Sequence, residues 1–476
     1  MGLTAEQAAA ITNRLYGRLQ NRRAGGPKGE LLSVLGDYFA GCQPLRFASP
    51  EFRQFHAERF ADFNDNWCEV VARAAAERTE VFGLRLGDDA DVQSPEEAAL
   101  WRDWVSVDGP AKASQGYLTG TVLSTSYALV WGDSDGEPLL TWETPTQAII
   151  GYDAETGAAL YGLKSWPDED AEHATLYTAG EVWKFSRKSF SAARAAGFVT
   201  PSGLAGRWEP RSDTQSVMAN PLGVLPMVEH PNRPMLTVGP ISDIAGVVAM
   251  QDAVNLMWAY LFGAADHASL PARVIMGQEP PKIPVLDSSG QKIGEQQVSA
   301  DELKRGRLLW LTGQNTKIGQ WDAAKLDVFT DVVHVAVKHV ASKTQTPIHY
   351  IMGELGNVNG ETLTATELPL ATKVRTGHKH LGRPTREVFR RLALVRGNSA
   401  VAEACRTAVV QWKNPETMSD AQVSDAASKD KTIGWPFPAI LERRYNLSQP
   451  EIARVMAMAE ADPELRLARG LAGGAA

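Results

Sequence analysis

The sequence predicts an α+β chain, mainly helical, and three observations carry that reading. Two long helical patterns, residues 241–268 and 322–345, enclose an insertion rich in Pro, Gly and polar residues. A third helical pattern opens at Thr364, whose Thr-x-x-Glu spacing to Glu367 is a capping box. Between residues 81 and 234, by contrast, short apolar alternations separated by Asp/Gly turns read as strands.

Taken in order, residues 4–40 are helical in pattern but broken by AGGPKG at 24–29, a loop by its Gly and Pro content. A second helix covers about 65–78. Strand-like runs follow, above all YALVWGDSDGEPLLTWETPTQAIIGYDAETGAALYGLKSW (127–166), continued by EVWKFSR and GRWEPR, so residues 81–234 read as a mixed α/β region. The run 241–268 is the first long helix. Its segment 244–265 is about long enough to span a bilayer, which raises the reading of a membrane-associated oligomer. Gln251, Asp252 and Asn255 near its middle argue against that, because a central aspartate costs about 2.5–3.5 kcal/mol on insertion scales. A helix buried between protein neighbours is predicted instead.

The insertion carries QEPPKIPVLDSSGQKIGEQQ (278–297), then SADELKRG, a short helix capped from Ser299 to Glu302, then RLLWL as a strand. Residues 322–345 form a rod of roughly 36 Å. Its apolar positions Leu326, Phe329, Val332, Val333, Ala336, Val337 and Val340 cover more than one stripe, so it needs neighbours on several sides. The rod should stop before Pro347, because a residue ahead of proline is pushed out of the α region. KTQTPIHYIMGELGNVNGETLTATE (343–367) then supplies a Gly/Asn-rich loop and the start of a long helix expected to kink at Pro384. Asn414-Pro415 marks a boundary before C-terminal helices.

With 476 residues, 44% hydrophobic and 22% charged, the chain can build two to four units with real cores. The 48 basic against 56 acidic residues give a net charge of −8, which argues against a protein whose main task is gripping DNA. Cys42, Cys68 and Cys405 are odd in number and far apart, so neither a disulfide framework nor a zinc site is expected. The N-terminal MGLTAEQAAAITNRLYGRLQ lacks the apolar core of a secretion signal, and synthesis and assembly in the cytoplasm are expected.

Signatures of catalysis are missing: no phosphate-binding G-x-x-x-x-G-K-[ST], no Gly-x-Ser-x-Gly and no His-Glu-x-x-His. No enzyme activity and no cofactor are expected. The glycines at 353, 356 and 360 follow a helix rather than a strand, so they mark a flexible loop and not a nucleotide site. His334, His339, His378 and His380 lack carboxylates at ligand spacing and are read as solvated or interface residues. The row Lys373, Arg375, Lys379, Arg383, Arg386, Arg390, Arg391 and Arg396 is either a solvated or subunit-bridging helix face or a set of phosphate contacts. Trp131, Trp142, Trp183 and Trp208 are read as core or interface anchors.

The run through 343–367 and the long helix after it resemble the stem helix, tunnel loop and following helix of tailed-bacteriophage portal proteins, in the SPP1-like portal family. DYFAGCQPLRFASPEF (37–52) and NDNWCEVVARAAAERTEVFGLRL (64–86) resemble the family's opening segment and first wing helix. NPLGVLPMVEHPNRP (220–234) is similar to its approach to the stem. VVQWKNPETMSDAQVSDAASK (409–429) and YNLSQPEIARVM (445–456) resemble its exit strand and crown helices. Five blocks in the right order span nearly the whole chain.

The resemblance implies an N-terminal region and wing over 1–240, a stem helix at 241–269, a clip at 270–321 and a second stem helix at 322–346. It further implies a tunnel loop at 347–363, a long kinked helix with exit strand at 364–413 and a crown at 414–476. It implies a ring, as a dodecamer, at one capsid vertex of the virion. Double-stranded DNA would pass through it without sequence readout during packaging, retention and ejection. The ring would dock the terminase large subunit and head-tail adaptor, and contact scaffold and major capsid protein, with no membrane. Lys338, Lys343, Asn357, Asn359, Gly353, Gly356 and Gly360 become tunnel candidates, and Lys282, Lys292, Lys304, Arg305 and Arg307 candidates for partner contact at the clip.

Overall fold

A computed structural model describes residues 2–23, 32–43, 49–50, 64–87, 94–168, 171–188, 207–269, 273–276, 282–286, 290–297, 308–311, 317–320, 325–353 and 360–462. The chain divides into two compact units: one of Met1–Gln43, Asn66–Val248 and Ala341–Ala476, the other of Pro44–Asp65 and Ala249–Val340.

The first unit opens with α1 (Ala5–Arg23), α2 (Leu32–Ala40) and α3 (Trp67–Ala76), followed by strand β1 (Val81–Arg85). Two helices then stand inside the region that the sequence reads as mainly strands: α4 (Pro95–Ser106) and α5 (Gly109–Leu123). The α4 start was legible, since Ser94 and Glu97 close a capping box with Pro95 at the first turn. The α5 start was not, because Asp108 enters it in left-handed geometry without a side-chain cap.

Strands β2 (Thr125–Gly132), β3 (Pro138–Glu143) and β10 (Met227–Pro231) form an antiparallel sheet in the order β10-β2-β3. A larger antiparallel sheet runs β4 (Ala148–Tyr152), β5 (Ala159–Pro167), β6 (Ala171–Tyr177), β7 (Glu181–Lys188) and β8 (Glu209–Pro210), with β9 (Val217–Ala219) also on β7. Apolar residues on one face, Ile149, Leu163, Leu176 and Phe185, pack against Ala8, Leu15 and Leu19 of α1. Alternate residues Ala148 and Ile150 point the other way, onto Tyr127, Leu129 and Met227 of the smaller sheet.

Helix α6 (Val248–Ser269) and helix α7 (Asp327–Thr344) are the two long patterns, each shorter at its start than the sequence predicts. A five-residue helix, α8 (Ile348–Met352), replaces the first part of the expected loop, and α9 (Gly360–Val395) begins four residues before Thr364. Thr364 therefore does not cap a helix start. Pro369 and Pro384 both lie inside α9. The helix continues through both, and beyond Pro384 it is held by the largest core, in which Val388, Phe389 and Leu392 pack on Trp104, Tyr117 and Val130. Then come α10 (Ser399–Ala404), β16 (Val409–Trp412) antiparallel to β1, α11 (Asp420–Thr432), α12 (Phe437–Tyr445) and α13 (Gln449–Ala461).

In the second unit, β11 (Arg273–Met276) lies between β14 (Leu308–Leu311), parallel to it, and β15 (Lys317–Gln320), antiparallel, while β12 (Lys282–Leu286) and β13 (Lys292–Gln297) form a hairpin. The strand expected at 307–311 is present; the short helix expected from Ser299 lies outside the described residues. Helix α7 buries Val333, Ala336, Val337 and Val340, while Val328, Val332 and Val335 remain exposed. The polar residues in the middle of α6 are buried against the segment before α3: Asn255 Nδ2 donates to Asn64 Oδ1 (2.6 Å), and Trp258 Nε1 to Asp65 Oδ2 (2.9 Å). Among the described residues no helix is long and apolar enough to cross a membrane.

One close approach in the first unit fixes a glycine. Trp142 Nε1 donates to Ser126 Oγ (2.9 Å), which donates to the Gly116 carbonyl (2.7 Å), and a Cβ on Gly116 would lie only 2.0–2.4 Å from atoms of the indole. Gly116→Ala is expected to destabilise the fold by about 1–3 kcal/mol through overpacking. The check is a lowered urea midpoint with an unchanged slope.

Candidate functional site

The joint where α7 ends and α9 begins is where the sequence concentrates its candidate residues, and two ionic nodes hold it. The first centres on Arg78, just past the end of α3. Its Nη2 donates to Tyr350 Oη (2.6 Å), Glu367 Oε2 (2.7 Å) and Thr417 Oγ1 (3.1 Å), and its Nε to the Pro415 carbonyl (3.1 Å). Tyr350 in α8 also donates to Glu367 Oε1 (2.8 Å) in α9, and His349 Nε2 lies 3.6 Å from the same oxygen. One guanidinium thus joins both flanks of residues 353–360 to α3 and to the segment before α11. The planar fork of arginine, with several donors in fixed geometry, suits it to such a crossing.

The second node centres on Asp243, whose side chain is only 1% exposed. Lys373 Nζ of α9 lies 2.6 Å from Asp243 Oδ2 and donates to the Thr344 carbonyl (3.1 Å) at the end of α7. Asn232 Nδ2 donates to Asp243 Oδ1 (3.0 Å), and Arg233 Nη1 lies 3.4 Å from it. A buried carboxylate needs such pairing, and here the pairing ties the last turn of α7 to α9. Lys343 spends its ammonium on the Gly246 carbonyl. Gly353 ends α8 in left-handed geometry (φ 67°), its N–H donating to the His349 carbonyl (3.0 Å), so glycine is required there for backbone reasons.

Of the tunnel candidates, Lys338 is exposed on α7, Lys343 is engaged as above, and Gly360 is the first residue of α9. Gly356, Asn357 and Asn359 lie outside the described residues, as do Lys304, Arg305 and Arg307 of the clip set. Lys282 and Lys292 occupy the facing strands β12 and β13.

Most of the basic row on α9 is paired within the fold, although Arg375, Lys379, Arg383 and Arg396 remain exposed. Arg375 pairs with Glu416, Arg390 and Arg391 with Glu387, and Arg396 with Asp103 (2.7 Å) and Glu137 (2.5 Å). Arg386 donates to the Ala408 carbonyl (3.2 Å) and Arg391 to the Leu225 carbonyl (2.7 Å). Only Lys379 and Arg383 of the row are exposed without a described partner. The acidic and carbonyl partners come from distant stretches of chain, so helical spacing alone could not reveal them.

His378 is also a correction: it is buried, not solvated, and stacks on Trp412 with ring centroids 4.5 Å apart and planes 9° from parallel. Burial pushes its pKa down to about 4, with the Arg375 charge adding to the shift. His334, His339 and His380 are exposed, and no group of three or more His, Cys, Asp or Glu among the described residues could hold a metal. Trp183 and Trp208 are core residues as expected; Trp131 and Trp142 are half-buried. Sequence reasoning missed Arg78, Tyr350 and Asp243, whose partners lie too far along the chain for any local signal.

Known proteins are similar to this chain over most of its length. The chain is 28% identical over 375 residues to the portal protein of Mycobacterium phage D29, covering 74% of this chain and 70% of that protein. It is 27% identical over 376 residues to the portal protein of Mycobacterium phage L5, covering 75% and 70%. Among solved structures, a chain of the virion of a native gene transfer agent particle is similar at 13% identity, with a TM-score of 0.37, over 88% of this chain and 94% of that one. Residues 74–436 match the family described as phage portal protein, SPP1 Gp6-like, a span that takes in α6, α7, both nodes and the whole of α9; the chain belongs to that family.

Proposed function

We propose that this chain is the subunit of a ring, a dodecamer, that forms the DNA passage at one capsid vertex. Residues 241–269 and 322–346 are its stem helices, 270–321 its clip, 347–363 its tunnel loop, and the regions before and after them its wing and crown. The ring admits double-stranded DNA during packaging, retains it, releases it at ejection, and presents the clip to the terminase large subunit and then to the head-tail adaptor. Its role is mechanical: the motor supplies the free energy.

The observation that carries this reading, beside family membership, is the doubly anchored joint. A loop that meets moving DNA must be fixed at both ends, and the Arg78 and Asp243 nodes fix both flanks of residues 353–360. The internal pairing of the α9 cations fits the same task, because free arginines along a passage would hold phosphates rather than let them slide. Lys338, Asn357 and Asn359 are then the proposed DNA contacts, and the glycines at 356 and 360 are proposed to let this stretch follow the moving DNA.

Native mass spectrometry with negative-stain averaging tests the ring. About twelve copies around an axial hole support the proposal; no ring even with scaffold or procapsid present refutes it. Within a ring-forming background, Gly356→Ala with Gly360→Ala is expected to lower packaged DNA length or genome retention while ring yield is unchanged. Gly353 is left intact in that variant because its left-handed geometry makes alanine a structural fault.

A further inference from the structure

We propose that the hairpin at residues 232–241 docks, head to tail, into the cleft between α4 and α10 of a second copy of this chain. The proposal rests on the ring reading above and names a contact that closes it. The hairpin is internally braced. Met235 and Gly239 exchange both backbone hydrogen bonds (3.0 and 2.9 Å), the Ile241 N–H donates to the Asn232 carbonyl (2.9 Å), and Asn232 Nδ2 donates to the Ile241 carbonyl (2.8 Å). Its base is fastened to the body by the Asn232 N–H on the Ser124 carbonyl (2.9 Å) and by Arg233 on Asp243. Arg233 holds a left-handed backbone (φ 44°), a conformation that a non-glycine residue adopts only when its surroundings impose it.

What this bracing presents to water is apolar. Leu236 is fully exposed, and Met235 and Val238 are exposed beside it. A single exposed leucine needs no explanation, but three neighbouring apolar side chains held on a braced turn form a pre-organised anchor. Burying the leucine alone would contribute about 1.5–3 kcal/mol.

A receptor of suitable size and charge lies elsewhere on the same unit. The cleft has a volume of about 660 Å3, and its apolar lining includes Pro95, Ala99 and Val401. Its charged lining is Glu96, Asp103 and Glu137 against Arg102 and Arg396, the last shared by Asp103 and Glu137, and the adjoining turn adds Asp133 and Asp135, so carboxylates outnumber cations there. The hairpin side is basic, with half-exposed Arg233 beside His380, and exposed Lys379 and Arg383 next to it on α9. Opposite charge around an apolar plug gives both orientation and exclusion of the wrong register. Tip and cleft are different patches, so the contact is heterologous, and repeated heterologous contacts either close a ring or run on as a filament.

The test uses the full chain with Cys42→Ser, which removes the exposed thiol and leaves Cys68 and Cys405 buried. Leu236→Cys combined with Ala99→Cys should give, on mild oxidation, a ladder of covalent oligomers. Mixing the two single variants should stop at dimers. Leu236→Asp, a change at an exposed tip, should cut the ring fraction at least tenfold and move the melting temperature of the separated subunit by less than about 2 °C, as for other surface changes. Wild-type rings with an equal ring yield for Leu236→Asp, or crosslinks formed by Leu236→Cys alone, overturn this contact and leave the ring reading intact. A wild type that forms no ring even with scaffold or procapsid overturns both.

Discussion

Arg78→Ala is expected to destabilise the first unit by about 2–4 kcal/mol and to loosen the joint beyond it. The magnitude follows from what is left behind. Arg78 and Glu367 are 16% and 12% exposed in their side chains, and removing the guanidinium strands a largely desolvated carboxylate. Breaking one partner of a fully buried pair costs about 3–5 kcal/mol, reduced here by the residual exposure. Tyr350 and Thr417 lose a partner as well, and the Pro415 carbonyl loses its donor. Arg78→Lys keeps the charge but not the fork, so it should recover part of the loss and not all. Urea unfolding gives the cost, and hydrogen exchange at residues 348–353 gives its location. Faster exchange there than in α1 would show that the node holds α8 in place; a uniform change across the unit would count against that role.

A second large effect is expected in acid, from His230. It lies on β10 in the core, with ring centroids 4.8 Å from Trp142 and 6.0 Å from Tyr117, and neither ring nitrogen has a partner of hydrogen-bonding geometry. Burial pushes its pKa down to about 3; the Val228 backbone, the next largest influence, opposes this, and the Arg391 charge works with burial. The folded state therefore resists a proton that the unfolded chain accepts near pH 6.5. Stability is full above that pH and falls as pH drops from about 6.5 toward 3, by up to about 4–5 kcal/mol. The drop should begin well above the range in which most carboxylates titrate. His230→Phe keeps an aromatic ring between Trp142 and Tyr117 and cannot titrate, so its stability should vary less between pH 7 and pH 4.5. Equal pH slopes in the two proteins would mean that other groups drive the acid response.

How much was legible depends on how far along the chain the deciding contact lies. Caps, turns and alternation are local. Ser94 with Glu97, Ser419 with Gln422 and Ser448 with Glu451 are capping boxes that three-residue spacing displays. Thr364 with Glu367 has the same spacing but does not open a helix, because α9 starts earlier, and Glu367 pairs with Arg78, 289 residues away. Local spacing offers a cap; it cannot tell whether a distant cation claims the carboxylate first. The basic row on α9 teaches the same lesson. Its helical spacing was plain, yet whether those charges meet phosphate, water or carboxylate was fixed by Glu416, Glu387, Asp103 and Glu137 folding onto it.

The sequence by itself determined the class of the chain, its two long helices around a small insertion, the long helix that follows, and its family. Those features rest on hydrophobic period, on Gly and Pro punctuation and on the order of segments, all of which are written along one dimension. Only the tertiary structure decided that Arg78 and Asp243 are the fasteners of the joint, that His378 and His230 are buried in the cores, and that a braced apolar hairpin stands in water at residues 232–241. Each of these is a matter of which groups lose their water, and desolvation is a property of the packed chain as a whole.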